Sequence, residues 1–134
     1  MRQLVFYLAA LVLAGGCMHS SQVSAAEGDR LPVAAVVTEY RHNSHADIIV
    51  SRMLLTDTMD GKGEDPGLKL ASLYTDQLPK NDTSRLLAAA LKFPIFPTIA
   101  ECITEGADKI SVAGVLLIGE HGDYPDNEFG QKKY

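Results

Sequence analysis

Histidine and carboxylate side chains are concentrated in two short segments of this chain. Residues 39–45 read EYRHNSH and residues 120–123 read EHGD, and together they hold three of the four histidines. Imidazole and carboxylate groups are ligands for zinc and other divalent metals. The candidate metal ligands are His42, His45, Glu120 and His121. Their spacing matches no established metal motif, so the sequence favours a polar rim without metal, and a metal site is the alternative.

Two apolar segments precede these polar ones and determine whether they meet. Residues 31–38 (LPVAAVVT) and 114–118 (GVLLI) are typical of buried parallel strands. In a doubly wound sheet of order 3-2-1-4, the first and fourth strands are neighbours, and ligands bind beyond their carboxyl ends. The sequence therefore predicts that residues 39–45 and 120–123 lie side by side at one edge of the sheet.

A helix follows the first strand. Apolar residues recur with helical period over residues 46–54, while Ser44 and Asp47 supply an N-cap and an acidic first turn. Residues 57–67 are rich in glycine and acids and predict a loop. Residues 68–74 predict a second strand.

The second half of the chain continues the alternation. Asn81 or Asp82 is expected to cap a helix that carries Leu86 and Leu91. Residues 94–97 (PIFP) predict a short edge strand. The segment 98–101 (TIAE) is a capping box, and the helix that it opens is expected to end near Gly106. The order β-α-β-α-β-α-β predicts a Rossmann-like, doubly wound parallel α/β sheet covered on both faces by helices.

The N-terminal segment predicts export. Arg2 precedes the apolar run 4–14, and Val23-Ser24-Ala25 fits a signal peptidase site, so residues 1–26 are interpreted as a secretory signal. Cleavage before a lipidated Cys17 is the alternative. The mature domain, residues 27–134, is then periplasmic or secreted, with no integral membrane segment.

Charge and cysteine content argue against nucleic-acid binding and against an internal disulfide. The chain has a formal net charge of −5 and no basic run, which argues against nucleic-acid binding. Cys102 is the only cysteine after the signal, so we expect no internal disulfide, and its position on the apolar side of a helix predicts a core residue.

A dinucleotide site is a further hypothesis from the residues. The glycine-rich phosphate turn is missing from residues 39–45, although Arg41, Ser44 and the helix amides could partly compensate. Asp76 ends the second strand, where an acid accepts ribose hydroxyls, and an ordinary turn acid is the alternative. Tyr74 and Tyr124 are candidates to stack on a ligand ring.

Residues 70–119 resemble the N-terminal half of the Gfo/Idh/MocA family, the relatives of glucose–fructose oxidoreductase and inositol dehydrogenase. The likeness rests on the strand ending 74–76 (YTD), on 92–98 (KFPIFPT) with the helix of Glu101, and on the strand 115–118 (VLLI). The resemblance implies an NAD- or NADP-binding domain in which Asp76 contacts the ribose. Glu120 and His121 would then lie near the nicotinamide.

The resemblance also implies a longer protein. The family's Glu-Lys-Pro catalytic segment would follow Tyr134, so no catalytic residue is assigned and this chain alone is expected to be inactive. A missing C-terminal domain would carry the small-molecule substrate site and support a homo-oligomer. The leading hypothesis is thus part of an exported NAD(P)-dependent oxidoreductase acting on a carbohydrate-type substrate. The alternatives are a metal-assisted hydrolase or lyase and a non-catalytic domain that binds a carbohydrate.

Overall fold

Alternating apolar runs and amphipathic segments produce a small α/β fold on a three-stranded parallel sheet. The computed structural model describes residues 30–55, 58 and 62–133, so the predicted signal, Cys17 and Tyr134 lie outside it. The elements are β1 (Leu31–Val37), α1 (His45–Leu54), β2 (Leu68–Thr75), α2 (Ser84–Leu91), α3 (Ile99–Thr104) and β3 (Gly114–Ile118). The strand order is β2-β1-β3. Within the described ranges, no helix has the length and apolarity to span a bilayer.

The segment predicted as an edge strand, residues 94–97, forms a single bridge to β2. Ile95 bridges Leu73 in parallel orientation. The Leu73 amide donates to the Pro94 carbonyl at 3.0 Å, and the Phe96 amide donates to the Leu73 carbonyl at 2.9 Å. Pro94 and Pro97 have no amide hydrogen, so this segment offers few donors for a longer ladder. The described sheet therefore contains three strands rather than the predicted four.

Helix α1 covers one face of the sheet, and its start is as predicted. The Ser44 hydroxyl accepts a hydrogen bond from the Asp47 amide at 3.1 Å. Ala46, Val50 and Met53 are buried, and burial of aliphatic side chains is the main stabilising contribution here, roughly 1.5–3 kcal/mol for each large one. The core cluster consists of Ala35, Val37, Tyr40, Ala46, Val50, Met53, Leu70, Leu73 and Phe93.

Helix α3 covers the opposite face at β1 and β2. Its N-cap is Thr98, whose hydroxyl accepts from the Glu101 amide at 3.1 Å, as the capping box predicts. Cys102 is fully buried and unpaired, which confirms it as a core residue. The Ser72 hydroxyl donates to the Cys102 carbonyl at 2.6 Å and ties the helix to β2.

Strand β3 is less buried than its composition predicts. Val115 and Leu117 are 53% and 73% exposed, so the prediction of a strongly buried strand is wrong. In the described sheet β3 pairs only with β1, and α3 contacts β1 and β2 without comparable coverage of β3. The predicted cover on both faces therefore holds at the centre of the sheet and fails at this edge.

The start of α2 differs from the sequence prediction, whereas the end of α3 agrees with it. The N-cap of α2 is Thr83, without a side-chain capping bond, so the prediction of Asn81 or Asp82 is wrong. The Asp82 carboxylate instead accepts from the Ser84 hydroxyl at 2.9 Å. After α3, Gly106 has a φ of +76°, and its amide donates to the Glu101 carbonyl at 3.0 Å, as expected for the left-handed end of a helix.

Strand β2 contains a bulge. Leu70 lies opposite Val33 and Ser72 lies opposite Ala34, so Ala71 is an additional residue in the ladder. Beyond the bulge, the Leu73 side chain packs in the core cluster on the face of the sheet that α1 covers.

Candidate ligand pocket at the carboxyl edge of the sheet

The three strands end next to one another. The Thr38 amide donates to the Ile118 carbonyl at 3.1 Å, and the Asp76 amide donates to the Val37 carbonyl at 3.0 Å. The Gln77 amide continues this pattern with a bond of 2.8 Å to the Thr38 carbonyl. The polypeptide segments that leave β1, β2 and β3 therefore converge, as the strand order predicts.

A cavity of about 490 Å³ opens beside these strand ends, and we call it the carboxyl-edge pocket. Its lining residues are Val36, Val37, Thr38, Tyr74, Asp76, Ile99, Leu117, Ile118, Gly119 and Tyr124. Most of this surface is apolar, and Asp76 is its only ionised side chain at neutral pH. A mostly apolar cavity with a few convergent polar groups is typical of small-molecule sites.

Asp76 accepts hydrogen bonds from two tyrosine hydroxyls. Tyr124 Oη donates to Asp76 Oδ2 at 2.5 Å, and Tyr74 Oη donates to Asp76 Oδ1 at 2.7 Å. Both hydrogen bonds lower the pKa of Asp76, and the bond from Tyr124 contributes more than the bond from Tyr74. The bond to the carboxylate raises the pKa of Tyr74, because it stabilises the neutral phenol. At neutral pH the pocket thus presents an exposed carboxylate with lone pairs left for a ligand hydroxyl.

A pair of hydrogen bonds holds the segment that carries Tyr124. The Gln77 side chain donates to the Asp123 carbonyl at 3.2 Å and accepts from the Asp123 amide at 2.8 Å. Gly122 has a φ of +136°, and a Cβ there would lie 2.1 Å from the Tyr124 ring. Glycine at this position therefore allows the ring to fold back toward Asp76. Sequence reasoning missed the roles of Gln77 and Gly122, and the one available signal was a glycine two residues before a tyrosine.

Three of the four candidate metal ligands lie together. His45 Nδ1 contacts Glu120 Oε2, the rings of His45 and His121 are 5.9 Å apart, and one ligand atom from each of the three residues lies within 4.8 Å of the others. His42 is not in this group. Its Nδ1 lies 3.6 Å from Asp47 Oδ2, and its side chain is 81% exposed.

Arg41 and Ser44, two of the predicted cofactor ligands, do not line the pocket. Arg41 Nε donates to Glu39 Oε2 at 3.1 Å. Ser44 is fully buried, and its hydroxyl accepts from the Asp47 and Arg41 amides.

The start of α1 is also poorly suited to a phosphate. The Asp47 carboxylate accepts from the Asn43 amide at 2.9 Å, and the Ser44 hydroxyl already takes the Asp47 amide. Helix N-termini bind phosphate through unpaired amides. Here the Asp47 amide is paired within the chain, and the Asp47 carboxylate adds a negative charge at the same turn, which disfavours a phosphate.

Of the predicted cofactor residues, Asp76 lines the pocket, and Glu120 and His121 directly follow the pocket residue Gly119. Comparison of the chain with protein-family models, with curated proteins and with solved structures gave no match. The resemblance to the Gfo/Idh/MocA family therefore stays a prediction.

Proposed function

We propose that this protein binds a small hydroxylated molecule, of the carbohydrate or nucleoside class, in the carboxyl-edge pocket. One observation carries the proposal: an exposed carboxylate, Asp76, is held by two tyrosine hydroxyls in a pocket whose other walls are mostly apolar. The pocket volume of about 490 Å³ falls in the usual range for small-molecule sites.

The chemistry of the walls favours this ligand class. Sugars and nucleosides have apolar faces that pack against aromatic and aliphatic side chains, here Tyr74, Ile99 and Leu117. Their hydroxyls donate to a carboxylate, and hydrogen bonds to charged groups contribute roughly 1.5–3 kcal/mol each. An anionic ligand group would be repelled by Asp76.

An NAD(P)-dependent oxidoreductase acting on a carbohydrate-type substrate is the second candidate. Asp76 favours it, because an acid at the end of the second strand accepts the ribose hydroxyls in Rossmann-like, doubly wound folds. The fit is partial, since the amides of Asn43 and Asp47, just before and within the first turn of α1, are paired within the chain. In this second reading the cofactor supplies hydride chemistry, and the protein supplies ribose binding and orientation.

Calorimetric titration tests the first candidate against the second. The probes are glucose, myo-inositol, ribose and adenosine, with NAD(H) and NADP(H) in parallel. We expect saturable binding of at least one of the four uncharged probes. Asp76→Asn should weaken that binding by roughly 10- to 100-fold, because it removes a charged acceptor.

Asp108→Asn is the matched control, since Asp108 is an exposed acid outside the pocket lining. It should bind the same probe as tightly as the unchanged protein. Equal binding by Asp76→Asn, or no heat and no thermal shift with any uncharged probe at millimolar concentration, would contradict the proposal. Binding of the dinucleotides alone would favour the second candidate.

A further inference from the structure

We infer that His45, Glu120 and His121 form a binding site for zinc or a zinc-like divalent cation. This site is separate from the side chains on which the proposed ligand pocket depends. Two imidazoles and one carboxylate are a donor set found in catalytic zinc sites, in which a fourth position is left for water. Magnesium and calcium prefer oxygen ligands, so this combination of donors favours zinc.

The three ligands come from two segments whose backbone is fixed by the fold. His45 is the first residue of α1, directly after the Ser44 cap. Glu120 and His121 follow β3, whose last residue, Ile118, accepts from the Thr38 amide at the end of β1. The pairing of β1 with β3 therefore brings residues more than seventy positions apart in the chain to the same edge.

The side chains are close to the arrangement that an ion requires. His45 Nδ1 already contacts Glu120 Oε2, and one donor atom from each of the three residues lies within 4.8 Å of the others. Zinc holds nitrogen and oxygen ligands at about 2.0–2.2 Å, so modest rotations of the side chains would bring the donors to one ion. The side chains of His45 and Glu120 are 58% and 47% exposed, which leaves room for these rotations and for a water ligand.

An exposed histidine–carboxylate ion pair is the competing explanation for this cluster. Such pairs at the surface contribute about 0–1 kcal/mol and need no third partner. His121 distinguishes the two explanations, because its ring lies 5.9 Å from that of His45. A simple ion pair does not require this third donor.

Zinc titration by calorimetry tests the inference on the full chain, purified without a polyhistidine tag and freed of metal by a chelator that is then removed. We expect one ion per chain and an increase in Tm on zinc addition. Loss of a residue that only hydrogen-bonds to a metal ligand weakens metal binding roughly 10- to 100-fold. His45→Ala and His121→Ala each remove a ligand itself, so each should weaken zinc binding by more than that. Both residues are partly or largely exposed, so circular dichroism should show unchanged folding.

His42→Ala is the matched control, because His42 lies in the same turn but outside the cluster. It should bind zinc as the unchanged protein does. Absence of saturable zinc binding, an equal loss in His42→Ala and His121→Ala, or equally tight binding of magnesium would overturn the inference. Asp76→Asn should retain zinc binding, so failure of this inference and failure of the proposed ligand pocket are distinguishable.

Discussion

The two ends of the parallel sheet each carry a cavity, and the two cavities differ in chemistry. The carboxyl-edge pocket has a volume of about 490 Å³, and a groove at the amino ends of the strands has about 410 Å³. We call the second cavity the amino-edge groove. Its lining residues are Val33, Ile49, Arg52, Met53, Pro66, Leu68, Gly114, Val115 and Leu116.

The two cavities are similar in volume but differ in the polar groups that line them. The amino-edge groove is lined by apolar side chains with Arg52 as its one charged residue. The carboxyl-edge pocket brings together an ionised Asp76 and two phenols from separate parts of the chain. Cavity volume alone therefore does not distinguish the proposed binding site from the other cavity. Polar and ionisable groups converge where these parallel strands end, whereas apolar side chains dominate the opposite end.

The largest predicted effect concerns stability at the amino-edge groove. Met53 is 7% exposed and belongs to the core cluster. Met53→Ala should lower the free energy of unfolding by about 2–5 kcal/mol, because it leaves a cavity. Ligand binding in the carboxyl-edge pocket should be unchanged below the unfolding temperature. Chemical denaturation and calorimetry measure the two quantities.

Arg52→Ala is the control for Met53→Ala, since Arg52 is exposed on the same helix. Its stability should change by no more than about 0.5 kcal/mol. If Met53→Ala abolished ligand binding while the protein remained folded, the amino-edge groove would have a direct role in binding, and the comparison of the two cavities would fail.

The next largest effect is a loss of stability at alkaline pH, which we expect from the core residue Tyr40 and not from the pocket residues Tyr74 and Tyr124. Burial raises the pKa of Tyr40 to about 12, and its hydroxyl lies 3.1 Å from that of Ser51. The unfolded chain ionises this phenol near pH 10. Stability is therefore full below about pH 10 and falls as the pH rises through about 12, by on the order of 2–3 kcal/mol.

Unfolding measured from neutral to alkaline pH checks this effect. Tyr40→Phe should remove most of the alkaline loss, whereas Tyr74→Phe should leave that loss in place because Tyr74 is only partly buried. An alkaline loss of the same size in Tyr40→Phe would show that another group causes it.

The smallest effect lies within the carboxyl-edge pocket. Tyr124→Phe and Tyr74→Phe each remove one hydrogen bond to Asp76, so the pKa of Asp76 should rise in both. The rise should be larger for Tyr124→Phe, because the Tyr124 bond is the main cause of the lowered pKa. Since Asp76 is exposed, either change should correspond to less than about 1 kcal/mol. Carboxyl titration by NMR measures it, and the reverse order would contradict the geometry of the cluster.

Local features could be predicted from the sequence. The caps at Ser44 and Thr98 each join residues three positions apart, so the residue types alone indicate them. The meeting of His45 with Glu120 and His121 also followed from sequence, because parallel strands of this order end at one edge.

Features that depend on distant contacts could not be predicted. The bond between Tyr124 and Asp76 joins residues 48 positions apart, and no periodicity in the sequence encodes it. The exposure of Val115 and Leu117 was missed for a related reason. Apolar composition shows that a strand can be buried, but the neighbouring elements determine whether anything covers it.

The extra residue in β2 determines toward which face of the sheet the Asp76 side chain points. Side chains along a strand alternate in direction, so an uninterrupted strand would send positions 72, 74 and 76 toward the same side as Leu68 and Leu70. The insertion at Ala71 reverses the phase of that alternation. Leu73 can then enter the hydrophobic interior, while Tyr74 and its carboxylate acceptor turn toward α3 and the solvent. A binding pocket on this side thus depends on β2 being one residue longer than the stretch of β1 with which it pairs.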